Sequence, residues 1–238
     1  MPKFAVIVFP GSNCDHDAEY ALGTVLDQQV DIVWHDKTSL AGYDVVIVPG
    51  GFAHGDYLRT GAIARFSPVM NAVIRHAKAG KPVIGICNGF QILCETGLLP
   101  GVLVRNLSLK FVCQQVRVRV ENTDTPFTKL CRPGQVLRMP VAHGEGRFTF
   151  GPSDLRKLER NGAVVFRYCD ENGETTEAAN PNGAMNSIAG ITNEARNVVG
   201  LMPHPERASE DVMGSSDGRI IFESVIAALG AGRPLSRV

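Results

Sequence analysis

Two short segments of this chain combine residue types that can do nucleophilic chemistry. In the first, Lys81-Pro82-Val83-Ile84-Gly85-Ile86-Cys87-Asn88-Gly89-Phe90-Gln91, glycines flank Cys87 at i−2 and i+2. An apolar run ends at Ile86 and an apolar-periodic helix begins just after the cysteine. This is the layout of a nucleophile elbow, a sharp strand-to-helix turn that thrusts a reactive side chain outward. A sulfur at a helix start faces unpaired N–H groups and the positive end of the helix dipole, which favour its anion. The backbone N–H of Asn88 would point to where a tetrahedral oxygen develops, and the side-chain-free Gly50-Gly51 loop could bring a second donor close. On this segment alone, a packing cysteine in a glycine-lined turn is an equal reading.

The second segment is Val198-Val199-Gly200-Leu201-Met202-Pro203-His204-Pro205-Glu206-Arg207. Met202 and His204 both precede prolines, which biases them toward extended conformations. Extended residues at i and i+2 point the same way, so Glu206 is expected beside His204. A carboxylate there fixes the imidazole tautomer and supports its cation while the other nitrogen serves a thiol. By itself this pair reads more readily as a structural hydrogen bond; with Cys87 it makes nucleophile, base and orienter. The order Cys…His…Glu differs from the Ser…Asp…His of α/β-hydrolases. His143 lies among glycines in a tight loop that suggests a nearby ligand, and His54 in the glycine-rich loop 50–61. His16, His35 and His76 read as surface or satisfied structural residues, and no group of residues has metal-ligand spacing along the chain.

Positioning such groups needs strands that end together. Residues 4–9, 30–34, 45–48, 81–86 and 198–202 read as strands. Between them, one helix places Ala18, Ala21, Leu22, Val25 and Leu26 on one face, with Asp15 and Asp17 near its positive end. A second opens at Ser67-Pro68, as N-cap and first position, and turns Val69, Met70, Val73, Ile74 and Ala77 inward until Gly80. Continuous apolar strands separated by helices imply a mostly parallel sheet covered on both faces. The second half differs. Val116, Val118 and Val120 alternate with arginines, and short strands near 136–141 and 164–168 suggest an antiparallel extension. Residues 170–186 read as a surface excursion. A last helix puts Ile221, Val225, Ala228 and Leu229 on one face before the tail 231–238.

The totals narrow the function. Lys+Arg and Asp+Glu are both 24 in 238 residues, with zero formal net charge, so the electrostatic footprint for nucleic acid is missing. No run approaches the ~20 apolar residues of a membrane span, and the N-terminus reads as a first strand and not as a signal peptide. The six cysteines show no CxxC pair, which suits reduced cytoplasmic thiols, mostly buried.

Taken together, Pro49-Gly50-Gly51, the segment Gly85 to Gln91 and His204-Pro205-Glu206 resemble the class I (triad) glutamine amidotransferase family. Phe9-Pro10-Gly11-Ser12-Asn13-Cys14-Asp15, Gly51-Phe52-Ala53-His54-Gly55-Asp56-Tyr57-Leu58-Arg59, and residues 142–148 and 200–207 are similar to its purine-biosynthetic branch, so the resemblance covers nearly the whole chain. It implies one α/β domain over 1–238 of flavodoxin-like type, with a smaller antiparallel extension. It implies that Cys87 attacks the side-chain amide of glutamine, with His204 and Glu206 as its partners and Gly51 and Asn88 as oxyanion donors. Gly50, Phe52, Gln91 and His143 would lie about the substrate, and no metal is implied. It further implies that ammonia passes to a large synthetase subunit, beside a small accessory subunit, which converts formylglycinamide ribonucleotide to its amidine. The resemblance also implies ATP and magnesium on that partner; this chain has no Gly-x-x-x-x-Gly-Lys-[Ser/Thr] loop to argue that it handles ATP itself. The sequence departs from the branch at Ala53-His54 and Thr60, where Ser-Tyr and often Cys are expected. Three rivals stand beside this reading: a cysteine-elbow protein of the protein-deglycase type, a glutaminase serving another synthetase, and a non-catalytic subunit on the same scaffold.

Overall fold

The computed structural model describes residues 1–230, so the tail 231–238 lies outside the described residues. In chain order the elements are β1 (Lys3–Val8), α1 (Asp15–Tyr20), β2 (Gln29–Trp34), β3 (Val45–Val48), α2 (Pro68–Lys78), β4 (Val83–Ile86), α3 (Asn88–Glu95), β5 (Val102–Val104) and β6 (Val112–Val120). They continue with β7 (Val136–His143), β8 (Arg147–Thr149), α4 (Pro152–Arg160), β9 (Val164–Cys169), β10 (Ile188–Thr192), β11 (Val198–Leu201) and α5 (Arg219–Gly230). Nine strands form one sheet in the order β2-β1-β3-β4-β11-β10-β9-β6-β7, and β5 pairs with β8 in a small second sheet.

The sheet changes character at β11. From β2 to β11 neighbouring strands are parallel; from β11 to β7 they are antiparallel. Strands β3, β4 and β11 are buried along their whole length, as continuous Val/Ile/Leu runs under helices on both faces require. The antiparallel part alternates: Val116, Val118 and Val120 face in while Arg117 and Gln115 face water, the period-two pattern of a sheet with one wet face.

Several boundaries depart from the sequence reading. β6 begins at Val112, because Val112 to Arg119 all pair with β7, from His143 back to Val136. The polar Gln114 and Gln115 hid this half of the strand. Helix α1 ends in a π turn over Ala21–Val25, so Leu22 is buried while Val25 and Leu26 are only half-buried. Ser67 does precede Pro68 at the start of α2, but its hydroxyl makes no cap bond and pairs with His54 Nε2 at 3.1 Å. On α2, His76 is buried where Ile74 was expected to be, and Ile74 is half-buried. On α5, Ile221 and Val225 are buried while Ala228 and Leu229 are half-buried. Residues 170–186 form the expected, mostly exposed excursion, with Gly173, Asn182 and Ala184 buried in it.

Candidate active site

Parallel pairing of β4 with β11, Ile86 opposite Leu201, puts the residues after both strands at the same edge of the sheet. That edge, the carboxyl ends of parallel strands, is where α/β folds build ligand sites. Cys87 follows β4 directly, and its N–H extends the pairing to Leu201 O at 2.8 Å. The chain then reverses into α3 within one residue. Cys87 has φ 50° and ψ −104°, a region that side-chain-bearing residues avoid and that marks functional strain. Gly89 permits the turn: a Cβ there would overlap the Val48 carbonyl oxygen, and would come within 2.6 Å of the carbonyl carbon. The thiol, 5% exposed as a residue, sits at the start of α3 and donates weakly to Ala142 O at 3.7 Å.

His204 arrives from β11 with extended backbone, φ −102° and ψ 93°, and its N–H is held by Pro140 O at 2.9 Å. Its Nδ1 pairs with Glu206 Oε1 at 2.6 Å, both side chains buried. The expected neighbourhood is present, but not through an extended segment. Pro205–Arg207 is a 3-10 turn, since the fixed φ of proline suits a first helical position. Burial opposes a charge on His204, yet the Glu206 carboxylate and then the Cys87 and Cys14 thiols more than offset it, holding the pKa well above the ordinary imidazole range. A short charge-assisted bond in a dry site has this effect.

The glycine-rich loop is tied to this edge. Gly51 sits at φ +145°, where an added Cβ would lie 2.7 Å from Ser12 Cα. Gly50 O accepts from Cys14 N at 3.2 Å and Asn13 N at 3.4 Å. A trans peptide directs its N–H opposite to its carbonyl, so the Gly51 N–H points away from α1. Among the described residues that N–H has no backbone acceptor. Asn88 clamps the next turn: its Oδ1 accepts from Ala53 N at 3.1 Å, and its Nδ2 donates to Asp56 Oδ1 at 3.2 Å and Gln91 Oε1 at 2.9 Å. Half-buried Asp56 is pushed up to about 6, chiefly by burial, with the Glu145 charge adding.

Among the residues expected about the substrate, Gly50 and the half-exposed Phe52 flank the Gly51 N–H. The amide of Gln91 is already engaged, bonding Asn88 and Glu145 O, the latter at 2.6 Å. His143 is buried within the same edge. Its Nδ1 meets Asn106 Oδ1 at 3.2 Å, and its Nε2 lies 3.5 Å from Asn182 Nδ2, which donates at 2.8 Å to Gly146 O. Burial, then the His204 charge, pushes it down to about 4. It braces the loop from Gly144 to Gly146 as a neutral imidazole. The placing of Asn106, Asn182 and Cys14 beside the site was missed by sequence reasoning: Cys14 entered only within the motif at 9–15, with no role given to it, and only the fold brings the three in. His16 is exposed, bonded to Glu19; His35 packs edge-on to His54 with ring centroids 5.3 Å apart. A cavity of about 990 Å³ opens at the opposite end of the sheet, between the end of α3, α4 and the β10–β11 turn; none of the site residues lines it.

Similarity to known proteins agrees with this geometry. Residues 1–220 match the CobB/CobQ-like glutamine amidotransferase domain. A phosphoribosylformylglycinamidine synthase subunit PurQ of Moorella thermoacetica is 58% identical over 94% of this chain and 95% of its own length. The subunit of that name from Salinibacter ruber is 57% identical, with the same shares covered. Among solved structures, a chain of PurLQS from Thermotoga maritima superimposes with a TM-score of 0.85 at 43% identity, over 96% of this chain and 99% of that one. The chain therefore belongs to the CobB/CobQ-like glutamine amidotransferase family, among relatives named PurQ.

Proposed function

We propose that this chain is the glutaminase subunit of a phosphoribosylformylglycinamidine synthase and that Cys87, His204 and Glu206 are its catalytic residues. The observation that carries the reading is one edge of the sheet: a strained cysteine at a helix start after β4, and a buried His204–Glu206 pair at 2.6 Å after the adjacent parallel strand β11. Cys87 sulfur attacks the side-chain amide carbon of glutamine. The Gly51 and Asn88 N–H groups hold the oxygen that becomes negative. His204 takes the thiol proton and delivers it to the departing nitrogen, so ammonia leaves and a thioester remains. Water, deprotonated by the same imidazole, then cleaves the thioester to glutamate and restores the thiol. Glu206 keeps the Nδ1 proton in place, so that Nε2 faces the sulfur.

Ammonia passes to a large synthetase subunit that carries ATP and magnesium and converts formylglycinamide ribonucleotide to its amidine, with a small accessory subunit completing the complex. Relatives more than half identical over nearly their full length support that assignment over a glutaminase serving a different synthetase. A cysteine, a histidine and its carboxylate gathered at one edge of the sheet support catalysis over a pure scaffold. The whole chain acts as one such domain in the cytoplasm; no helix of the described residues is long and apolar enough to cross a membrane. Glutamine hydrolysis by the chain alone and with the two partner subunits and their substrates tests the reading. Glutamate release that rises on assembly supports it; no hydrolysis in the complete complex overturns it.

A further inference from the structure

Cys14 stands at the start of α1, and the reaction above makes no use of it. Its Sγ, an imidazole nitrogen of His204 and a carboxylate oxygen of Glu206 all lie within 4.8 Å of one another. The three residues are 3%, 1% and 1% exposed. Gly50 closes one wall, since a Cβ there would lie 2.9 Å from both Cys14 Sγ and His204 Cε1. Two atoms in this nest have uncommitted lone-pair or donor capacity: His204 Nε2 and Glu206 Oε2 are buried with no hydrogen-bond partner among the described residues.

Sulfur, imidazole nitrogen and carboxylate oxygen form a donor set that zinc takes in tetrahedral sites, at bond lengths of about 2.0–2.3 Å. Softness favours it too, because thiolate excludes magnesium and calcium while imidazole suits zinc. The charges balance. Thiolate and carboxylate together match a dication, and the neighbouring Arg207, which donates to Cys14 Sγ at 3.2 Å, is already paired with Asp17 at 2.8 Å.

We propose that Cys14, His204 and Glu206 form a zinc site whose occupancy switches the glutaminase off. Zinc displaces the Cys14 thiol proton to the buffer and takes an imidazole lone pair from neutral His204, any second ring proton leaving as well. No electron is transferred. With either nitrogen on the metal, the imidazole can no longer accept the proton of Cys87 and pass it to ammonia. The inhibition rests on His204 being the base; the binding does not.

The test uses the full metal-stripped chain, with zinc uptake read against a chromophoric chelator and cobalt(II) as a spectroscopic substitute. The wild type takes up one equivalent of zinc, and cobalt gives a thiolate-to-metal charge-transfer band. Cys87→Ala keeps both. Cys14→Ala loses the band and binds zinc more weakly by at least the roughly 10–100-fold that loss of even an outer-sphere partner costs. Cys14→Ser, nearly isosteric, does the same should Cys14→Ala fold poorly. In the assembled complex, zinc inhibition relative to each variant's own metal-free rate weakens in parallel. No uptake by the wild type, uptake retained in both Cys14 variants, or uptake lost in Cys87→Ala overturns the site. Uptake in a chain that never hydrolyses glutamine would instead overturn the glutaminase reading and leave the metal site standing.

Discussion

Replacing Glu206 by glutamine separates orientation from proton transfer. The carboxylate accepts from His204 Nδ1 at 2.6 Å in a site where both side chains are buried. A glutamine amide can still turn its oxygen to Nδ1, so the tautomer survives and the charge is lost. The imidazolium still donates a charge-assisted bond to the amide oxygen and loses only the opposing charge, which we take as part of the roughly 1.5–3 kcal/mol of such a bond, about 0.5–2 kcal/mol. At about 1.4 kcal/mol per tenfold in rate, turnover falls about 2- to 30-fold. Removing the base altogether, in His204→Ala, costs the roughly 10²–10⁴-fold of a full general acid–base contribution. The pH dependence moves in a known direction. Glu206 is the main group holding the His204 pKa up against burial, so Glu206→Gln shifts the acid limb of the kcat profile to lower pH. Glutamate release by the reconstituted complex, measured across pH alongside thermal unfolding of each variant, gives both quantities. Equal losses in the two variants with folding intact, or an unmoved acid limb, would refute this division of labour.

Other consequences concern stability. His76 and His143 are each pushed down to about 4 from 6.5, first by burial. Their neutral forms stabilise the fold above pH 6.5, and that contribution is lost as pH falls from 6.5 toward 4. For His143, the drop from 6.5 to about 4 corresponds to about 3 kcal/mol. His143→Gln flattens the acid side of the stability curve measured by urea unfolding. Asp56 shows the opposite sign: raised from 3.8 to about 6, it costs stability that accumulates as pH rises from 3.8 to about 6 and is fully present above that. Asp56→Asn should stabilise by about 1 kcal/mol at pH 7.5, discounted for its partial exposure, and by much less at pH 4; equal gains at both would disprove the origin. Gly89→Ala drives a methyl into the Val48 carbonyl and should destabilise by several kcal/mol, beyond the usual 1–3 of overpacking; a small change in denaturant midpoint would contradict the packing account.

What was legible in the sequence was what local chemistry dictates. Gly85 and Gly89 announce a sharp turn around Cys87 because a side chain at either would clash, and the apolar runs of β4 and β11 announce buried parallel strands. The pairing of His204 with Glu206 was legible from spacing, though the backbone reaches it through a 3-10 turn begun by Pro205. The N-terminal half of β6 was hidden because Gln114 and Gln115 break the apolar alternation. The places of Cys14, Asn106 and Asn182 beside the site were hidden for a different reason. Each meets the site across the fold, where a short polar or thiol side chain leaves no periodic trace. The neighbours of the His143 ring, Asn106 and Asn182, are likewise tertiary and could not be read from the glycines around it.

The central claim is that Cys87 alone performs the attack on glutamine. Burial raises Cys131 and Cys169 to about 11 and Cys94 further still, so those thiols are poor nucleophiles. Cys14 lies beside the same imidazole and is the real competitor. A diazoketone analogue of glutamine, incubated with the complex and followed by peptide mass mapping, should add one label per chain, on the peptide holding Cys87, as glutaminase activity disappears. Label on Cys14 or any other cysteine, or wild-type turnover by Cys87→Ala, would contradict it.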